Sequence, residues 1–308
     1  MRMDNEKIPD MSGKSLRADL MLLLTAALWG GGFVAQRLGM QEMGPYLFNG
    51  IRFFLGALVL VPFLLFRKDA QRNAPDHWRG PILVGMAAGV LLFIGATLQQ
   101  LGLVYTTAGK AGFITGLYVI IVPLLGMLWG DRAPFNTWVG VLLALTGMYL
   151  LSATEGLRLA PGDGYVLTGA LFWAMHVQLM AKYAPRIDPF KLSFVQSLFT
   201  ALVSFLVGLR VEGLVMEEVK DSLWPILYGG VISIGVAYTL QIVGQQSARP
   251  TPAAIILSLE SVFAALLGWL ILGEGLTLRS LAGCGLMLLG MVLAQIPPRL
   301  RAGQIGSM

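Results

Sequence analysis

Three ionisable side chains, Arg52, His176 and Glu260, stand inside stretches of sequence that are otherwise almost wholly apolar. Holding an ionised carboxylate in hydrocarbon costs at least ~2.5 to 3.5 kcal/mol even on lenient insertion scales, so Glu260 is expected to face water, a partner or a proton. Two kinds of chemistry suit it: proton exchange, and recognition of a cationic group such as an amine. The plain alternative is a protonated or hydrogen-bonded glutamate that ties helices together. His176 is of a type that titrates near neutral pH in water. It follows Trp173 by three residues, which puts both on one helical face; a hydrogen-bonded packing histidine fits the same position. Arg52 lies about seven residues inside its apolar run, where it can snorkel to water, cap helix ends or attract a carboxylate.

Aromatic and amide side chains extend the set. Trp29 and Trp173 sit about ten residues into their runs, too deep for the aromatic belt of a membrane interface. They either wall a cavity that stacks apolar or aromatic cargo or pack the core. Tyr118 and Tyr238 are candidates for the same wall. Gln99 and Gln241 lie toward opposite ends of their runs and either bridge helices, for under ~1 to 2 kcal/mol, or gate a passage. Gln100, Tyr105, Thr115 and Ser258 are weaker candidates. Two histidines, His77 and His176, and the single Cys284 do not make a multi-ligand metal site or an internal disulfide. No nucleophile with its base or paired carboxylates stands out, and no phosphate-binding loop appears. An enzyme, a metal and a cofactor are therefore not expected.

Such residues need membrane-crossing helices to position them. Apolar residues make up 56% of the 308, charged residues 13%, and the mean hydropathy is +0.72, whereas a soluble domain carries about 25% charge. A helix needs roughly 20 apolar residues to cross the hydrocarbon core. Ten runs qualify: 18–36, 45–66, 81–102, 110–129, 135–153, 164–184, 190–210, 224–243, 252–272 and 278–296. No alternating strand segments of a barrel are present, and an open sheet edge cannot be satisfied in lipid. With both termini cytoplasmic, the cytoplasmic segments hold 15 Lys/Arg and the outer ones six, as the positive-inside rule requires. The net charge of +5 does not point to nucleic acid, because the cations lie in short loops and form no stripe.

The chain also repeats. Thr97-Leu98-Gln99-x-x-Gly102 returns as Thr239-Leu240-Gln241-x-x-Gly244, a shift of 142, and 11 of the 34 pairs from Gly95 to Leu128 are identical at that shift. Chance in so Leu- and Gly-rich a chain gives about three. Trp29 matches Trp173 at 144, Glu260 matches Tyr118 at 142, His176 matches Gly32, and Arg52 matches Gln196. Five spans per copy is odd, so the second copy is expected to run inverted relative to the first. The reading is all-α integral membrane, ten transmembrane helices as two inverted five-helix repeats. A cytoplasmic segment 1–17 precedes repeats at 18–153 and 164–296, and a cytoplasmic tail follows at 297–308. Gly30-Gly31-Gly32 is a candidate hinge, Pro123 should kink its span, and Asp131 and Glu274 are expected to cap the helices that follow them.

Ala27-Leu28-Trp29-Gly30, Arg52-Phe53, Ser258-Leu259-Glu260-Ser261-Val262-Phe263 and Gly273-Glu274, in this order within the duplicated frame, resemble the EamA-type members of the drug/metabolite transporter superfamily over residues 18 to 296. The family usually carries proline after the span-9 glutamate, where this chain has Ser261, and glutamate where it has Asp131. The resemblance implies a small-molecule transporter of the bacterial inner membrane whose first, third, fourth, sixth, eighth and ninth spans surround the cargo. Together with the residues above it leads to the expectation of a secondary transporter, exporting a small amphiphilic metabolite such as an amino acid or drug-like cation by alternating access. A passive facilitator or channel is the alternative, although no repeated filter or ring of charges is present. The expected partners are the cargo and the lipid bilayer; a coupling proton and a homodimer remain open.

Overall fold

The computed structural model describes residues 13–66, 78–128, 130, 133–152 and 161–295. Among them there are helices, turns and short links, and no strand. In chain order the helices are α1 (Gly13–Glu42), α2 (Pro45–Phe66), α3 (Arg79–Leu103), α4 (Ala108–Gly116), α5 (Tyr118–Leu128), α6 (Phe135–Ser152), α7 (Asp163–Tyr183) and α8 (Pro189–Val211). A short α9 (Met216–Asp221) and α10 (Leu223–Leu227) lead into a π-helical stretch, Tyr228–Tyr238; α11 (Thr239–Gln245), α12 (Pro250–Leu257), α13 (Glu260–Leu272) and α14 (Leu278–Gln295) follow.

Seven stretches are helical, long and apolar enough to cross a membrane: Leu16–Glu42, Pro45–Phe66, Arg79–Leu103, Ala108–Leu128, Pro189–Val211, Leu223–Gln245 and Pro250–Leu272. The other three expected spans fall on α6, α14 and α7. The apolar parts of α6 and α14, Phe135–Leu150 and Leu278–Ala294, rise only about 24 to 26 Å at 1.5 Å per residue. α7 is long enough but carries Asp163, His176, Gln178 and Lys182.

Polarity runs inside out. Leu58, Phe66, Leu206, Leu270 and Leu281 are exposed, while Thr25, Asn49, Arg52, Gln196, Ser197 and Glu260 are buried. In hydrocarbon, buried polar groups with partners inside the bundle cost far less than the same groups facing lipid. α1 runs through the centre, against α13, the π-helical stretch and α11. It is unbroken across Gly30–Gly32, so in this conformation the three glycines bring neighbours close and do not bend the chain. α6 and α14 pack at one side through glycines: a methyl at Gly140 would collide with the Gly290 carbonyl, and one at Gly147 with the Gly283 carbonyl.

The local breaks lie elsewhere. Leu117 separates α4 from α5, and Leu259 lies between α12 and α13, with nearly equal dihedrals (φ −59°, ψ −12° and φ −63°, ψ −10°). At both places the ladder tightens into three-residue steps: Leu117 and Ile120 donate to Ile114 and Leu117, and Leu259 and Val262 donate to Ile256 and Leu259. Pro123 lies six residues beyond the first of these turns, inside α5. The second forms without proline, and the serines flanking it bond elsewhere, Ser258 Oγ back to the Ile255 carbonyl and Ser261 Oγ across to that of Gly112. Such back-bonding by serine bends helices.

Glu274 follows Gly273, whose φ of +68° closes α13. Its carboxylate accepts from the Ala108 amide at the start of α4, whereas Thr277 caps α14 by accepting from Ser280 N. The expected cap is thus real but serves another helix, because the left-handed turn aims the side chain sideways. Asp131 lies outside the described residues. Glu212 does for α2 what Glu274 does for α4, accepting from Tyr46 N and Leu47 N.

The α6–α14 contact makes a direct stability test. Gly147→Leu should lower stability by about 1 to 3 kcal/mol in thermal unfolding of the detergent-solubilised protein. Gly285→Leu, where nothing lies within 4 Å, is the control. Equal melting of the two variants would contradict the close approach.

Candidate functional site

Tyr238, the last residue of the π-helical stretch, is the hub around which the site is assembled. Its ring centroid lies 4.8 Å from Trp29, 6.4 Å from Trp173 with a stacked 23° inclination, 6.2 Å from Phe53, and 6.0 Å from the His176 ring, which meets it edge-on. Three helices, α1, α2 and α7, therefore converge on one phenol. The π-helical winding matters here, since wide turns expose carbonyls and shift side-chain direction. The Ser233 carbonyl accepts from Trp29 Nε1 at 3.1 Å, and Tyr228 Oη donates to the Leu28 carbonyl at 3.0 Å. α1 is clasped to the stretch by these bonds.

Beside this cluster lies a partly open cavity, whose atom-free space of about 540 Å³ includes space outside its walls. Trp29, Phe33 and Gln36 reach it from α1, at the i, i+4, i+7 spacing of one helical face. Ile234, Tyr238 and Gln241 repeat that spacing, with Ser233 beside them, and Trp173, His176 and Val177 enter from α7. Arg52, Gln99, Thr115, Tyr118 and Glu260 close it from α2, α3, the α4–α5 turn and the start of α13. All nine site candidates read from the sequence thus line one cavity.

Several of these residues are tied. His176 Nε2 and Gln196 Oε1 are 3.1 Å apart, the packing contact that a lone histidine invites. Gln99 Nε2 donates to Gln36 Oε1 at 3.4 Å, so this amide bridges α3 and α1. Arg52 does not snorkel: it is 4% exposed, donates from Nε and Nη2 to Asn49 Oδ1 at 3.0 and 2.8 Å, and lies over the Phe48 and Phe53 rings. Others are not tied. Thr115 Oγ1, Trp173 Nε1 and Gln241 Oε1 are buried without a hydrogen-bond partner. The Tyr118 hydroxyl lies beside the Glu260 carboxyl but misses hydrogen-bond geometry. A buried polar atom without a partner costs about 1 to 3 kcal/mol, so the wall is built to receive polar company.

Phe33, Gln36, Val177, Ser233 and Ile234 line the cavity without having been singled out as candidates. The helical spacing from Trp29, Trp173 and Tyr238 is the signal that finds four of them; Ser233 takes part through the π-helical backbone, which no side-chain pattern marks. Among the weaker candidates, Thr115 is in the wall. Tyr105 is exposed, Ser258 is back-bonded, and the buried Gln100 is not among the lining residues. His77 lies outside the described residues. Among those described, no group of three His, Cys, Asp or Glu is arranged to hold a metal.

The model of the EamA-like transporter family matches residues 16–153 and again 160–295. An uncharacterized transporter of Archaeoglobus fulgidus is 34% identical over 286 residues, covering 92% of this chain and 87% of its own. The uncharacterized transporter YoaV of Bacillus subtilis is 21% identical, covering 89% and 95%. One crystal structure of a protein, 20% identical, superposes with a TM-score of 0.73 over 90% of this chain and 96% of its own, a likeness of fold.

The tied and untied amides separate structure from site. Gln196→Leu should cost about 1 to 3 kcal/mol by stranding His176, read by thermal unfolding in detergent. Gln241→Leu, which strands nothing, should unfold within about 0.5 kcal/mol of the parent. A reversed order would refute this partition.

Proposed function

Since this chain belongs to the EamA-like transporter family, it is a membrane transporter, and we propose that it is a secondary transporter exporting a small amphiphilic metabolite such as an amino acid or drug-like cation. The observation that carries the reading is the cavity, where buried polar atoms without partners meet an aromatic wall contributed by both halves of the chain. Glu260, His176, Trp29, Trp173, Tyr118, Gln99, Gln241, Tyr238 and Arg52 are the proposed cargo-facing residues. Glu260 carries the main charge contact, with a proton as its alternative occupant during the return step.

The proposed frame is ten spans in two inverted five-span repeats, 18–153 and 164–296, with both termini cytoplasmic in a bacterial inner membrane. Two structural pairings favour it. The tightened turns at Leu117 and Leu259 are 142 residues apart, the shift of the sequence repeat, and the bonds donated by Leu117 N and Ile120 N match those donated by Leu259 N and Val262 N, with one more, from Ser261 N to the Ser258 carbonyl, at the second turn. Gly140 meets Gly290 while Gly147 meets Gly283; at a shift of 143 each contact maps onto the other, as a two-fold axis between α6 and α14 requires. Rocking one half against the other would expose the cavity to each side in turn.

The test is transport by purified protein in proteoliposomes with and without an imposed pH gradient, over a panel of amino acids and organic cations. A coupled carrier concentrates its cargo, whereas a passive facilitator only equilibrates it. Glu260→Gln, at equal reconstitution, should lower gradient-driven accumulation about 10- to 100-fold, the scale of a lost charge-assisted contact. Unchanged accumulation across pH in that variant would remove Glu260 from the mechanism.

A further inference from the structure

We infer that three carboxylates from the second half of the chain clasp the outer face shut, so that the protein rests closed to the outside. This rests on the topology and the two-sided access proposed above. Asp163, at the start of α7, pairs with Lys110 of α4, Oδ2 to Nζ at 2.7 Å, the side chains being 7% and 19% exposed. Glu274, in the link between α13 and α14, accepts from the Ala108 amide at 3.3 Å. Glu212, just beyond α8, accepts from the Tyr46 and Leu47 amides at 3.0 and 2.8 Å. Each contact joins an acid of the second repeat to the first turn of α2 or α4 in the first. In the proposed topology all three lie at the outer ends of the spans.

The element that these contacts restrain most is α4. The tightened turn at Leu117 cuts it off from α5 and leaves a nine-residue lever, Ala108–Gly116. Its outer end is gripped twice, by Asp163 and by Glu274, and Thr115 near its inner end stands in the cavity wall. Both grips must part before the lever can swing away and open the cavity outward. The repeat supplies an internal comparison. At the shift of 142 the lever corresponds to α12, at the cytoplasmic end of its span, where Pro250 replaces Ala108 and Pro252 replaces Lys110. Proline offers no N–H and no charge, so neither grip can be built there. At the shift of 144, Tyr46 and Leu47 correspond to Phe190 and Lys191, whose amides donate to Asp188 Oδ1, the cap of their own helix. Toward the cytoplasmic ends the halves are joined by a neutral bond, Gln178 Nε2 on the Val122 carbonyl at 2.7 Å. Hydrogen bonds to a carboxylate are roughly twice as strong as neutral ones. Contacts made in one state alone shift the equilibrium toward that state by their own free energy. The balance therefore favours closure on the outside, which leaves the cavity to load from the cytoplasm.

The test uses Ser233→Cys as a reporter in the cavity wall, with Cys284 replaced by alanine. Its rate of reaction with a membrane-impermeant maleimide is measured from the outside and from the inside, in vesicles of each orientation. The parent should react faster from the inside. Asp163→Asn should raise the outside rate about 10-fold, the scale of a partly buried ion pair between the exposed and the fully buried cases, and should not raise the inside rate. Lys110→Gln should do the same, and covers the case in which Asp163→Asn does not fold. Exchanging the two charges, Lys110→Asp with Asp163→Lys, should bring the outside rate back toward that of the parent. Glu212→Gln and Glu274→Gln should each raise it by a smaller factor. A parent that reacts faster from the outside overturns the inference. So does an outside rate that Asp163→Asn leaves unchanged, which removes the clasp and leaves two-sided access intact. Equal acceleration from both sides would mean general loosening and also overturns it. Reaction from the inside alone in every variant overturns two-sided access itself, and the clasp with it.

Discussion

Polar groups cannot remain in hydrocarbon without partners, and the rest of this structure follows from that constraint. The lipid-facing surface is leucine, phenylalanine and valine; serines, threonines, amides and charges turn inward. Most are consumed by helix-to-helix contacts such as Gln178 on the Val122 carbonyl, Gln245 on that of Val177, and Thr239 on Ser193. Four that are not consumed, Thr115 Oγ1, Tyr118 Oη, Trp173 Nε1 and Gln241 Oε1, lie in the wall of one cavity.

Two kinds of helix irregularity give that cavity its shape. The turns at Leu117 and Leu259 place Tyr118 and Glu260 at equivalent starting positions of α5 and α13, so the backbone is paired and the chemistry is not: a phenol faces a carboxyl. The π-helical stretch is a second break in pairing, because the corresponding part of α3 is regular α-helix. It delivers Tyr238 to the centre and frees the carbonyl that holds Trp29. In the proposed mechanism, matched features supply the hinge geometry and unmatched ones supply recognition.

Much of this was legible in the sequence. Depth within an apolar run marked Trp29, Trp173, His176 and Glu260, because polar or amphipathic groups at mid-span are expensive and need a reason. The tightened turns were not legible. Leu117 and Leu259 are an identical pair in the repeat, but leucine carries no conformational signature, and at the second turn the proline that usually marks a bend is Ser261. The π-helical stretch was hidden for a related reason: widened winding has no composition of its own. Arg52 was visible as a charge but its environment was not, since Asn49 and the rings that hold it belong to an ordinary apolar helix face.

The central claim is that the cavity holds cargo and opens to each side in turn. Thr115 is small, buried in its wall and without a hydrogen-bond partner, so it can report on access. With Cys284 replaced by alanine and Thr115 by cysteine, labelling by a membrane-impermeant maleimide is measured in right-side-out and inside-out vesicles. The account predicts labelling from both sides, slowed at both by transported cargo. Labelling from one side alone, or at a rate that cargo leaves unchanged, would contradict it.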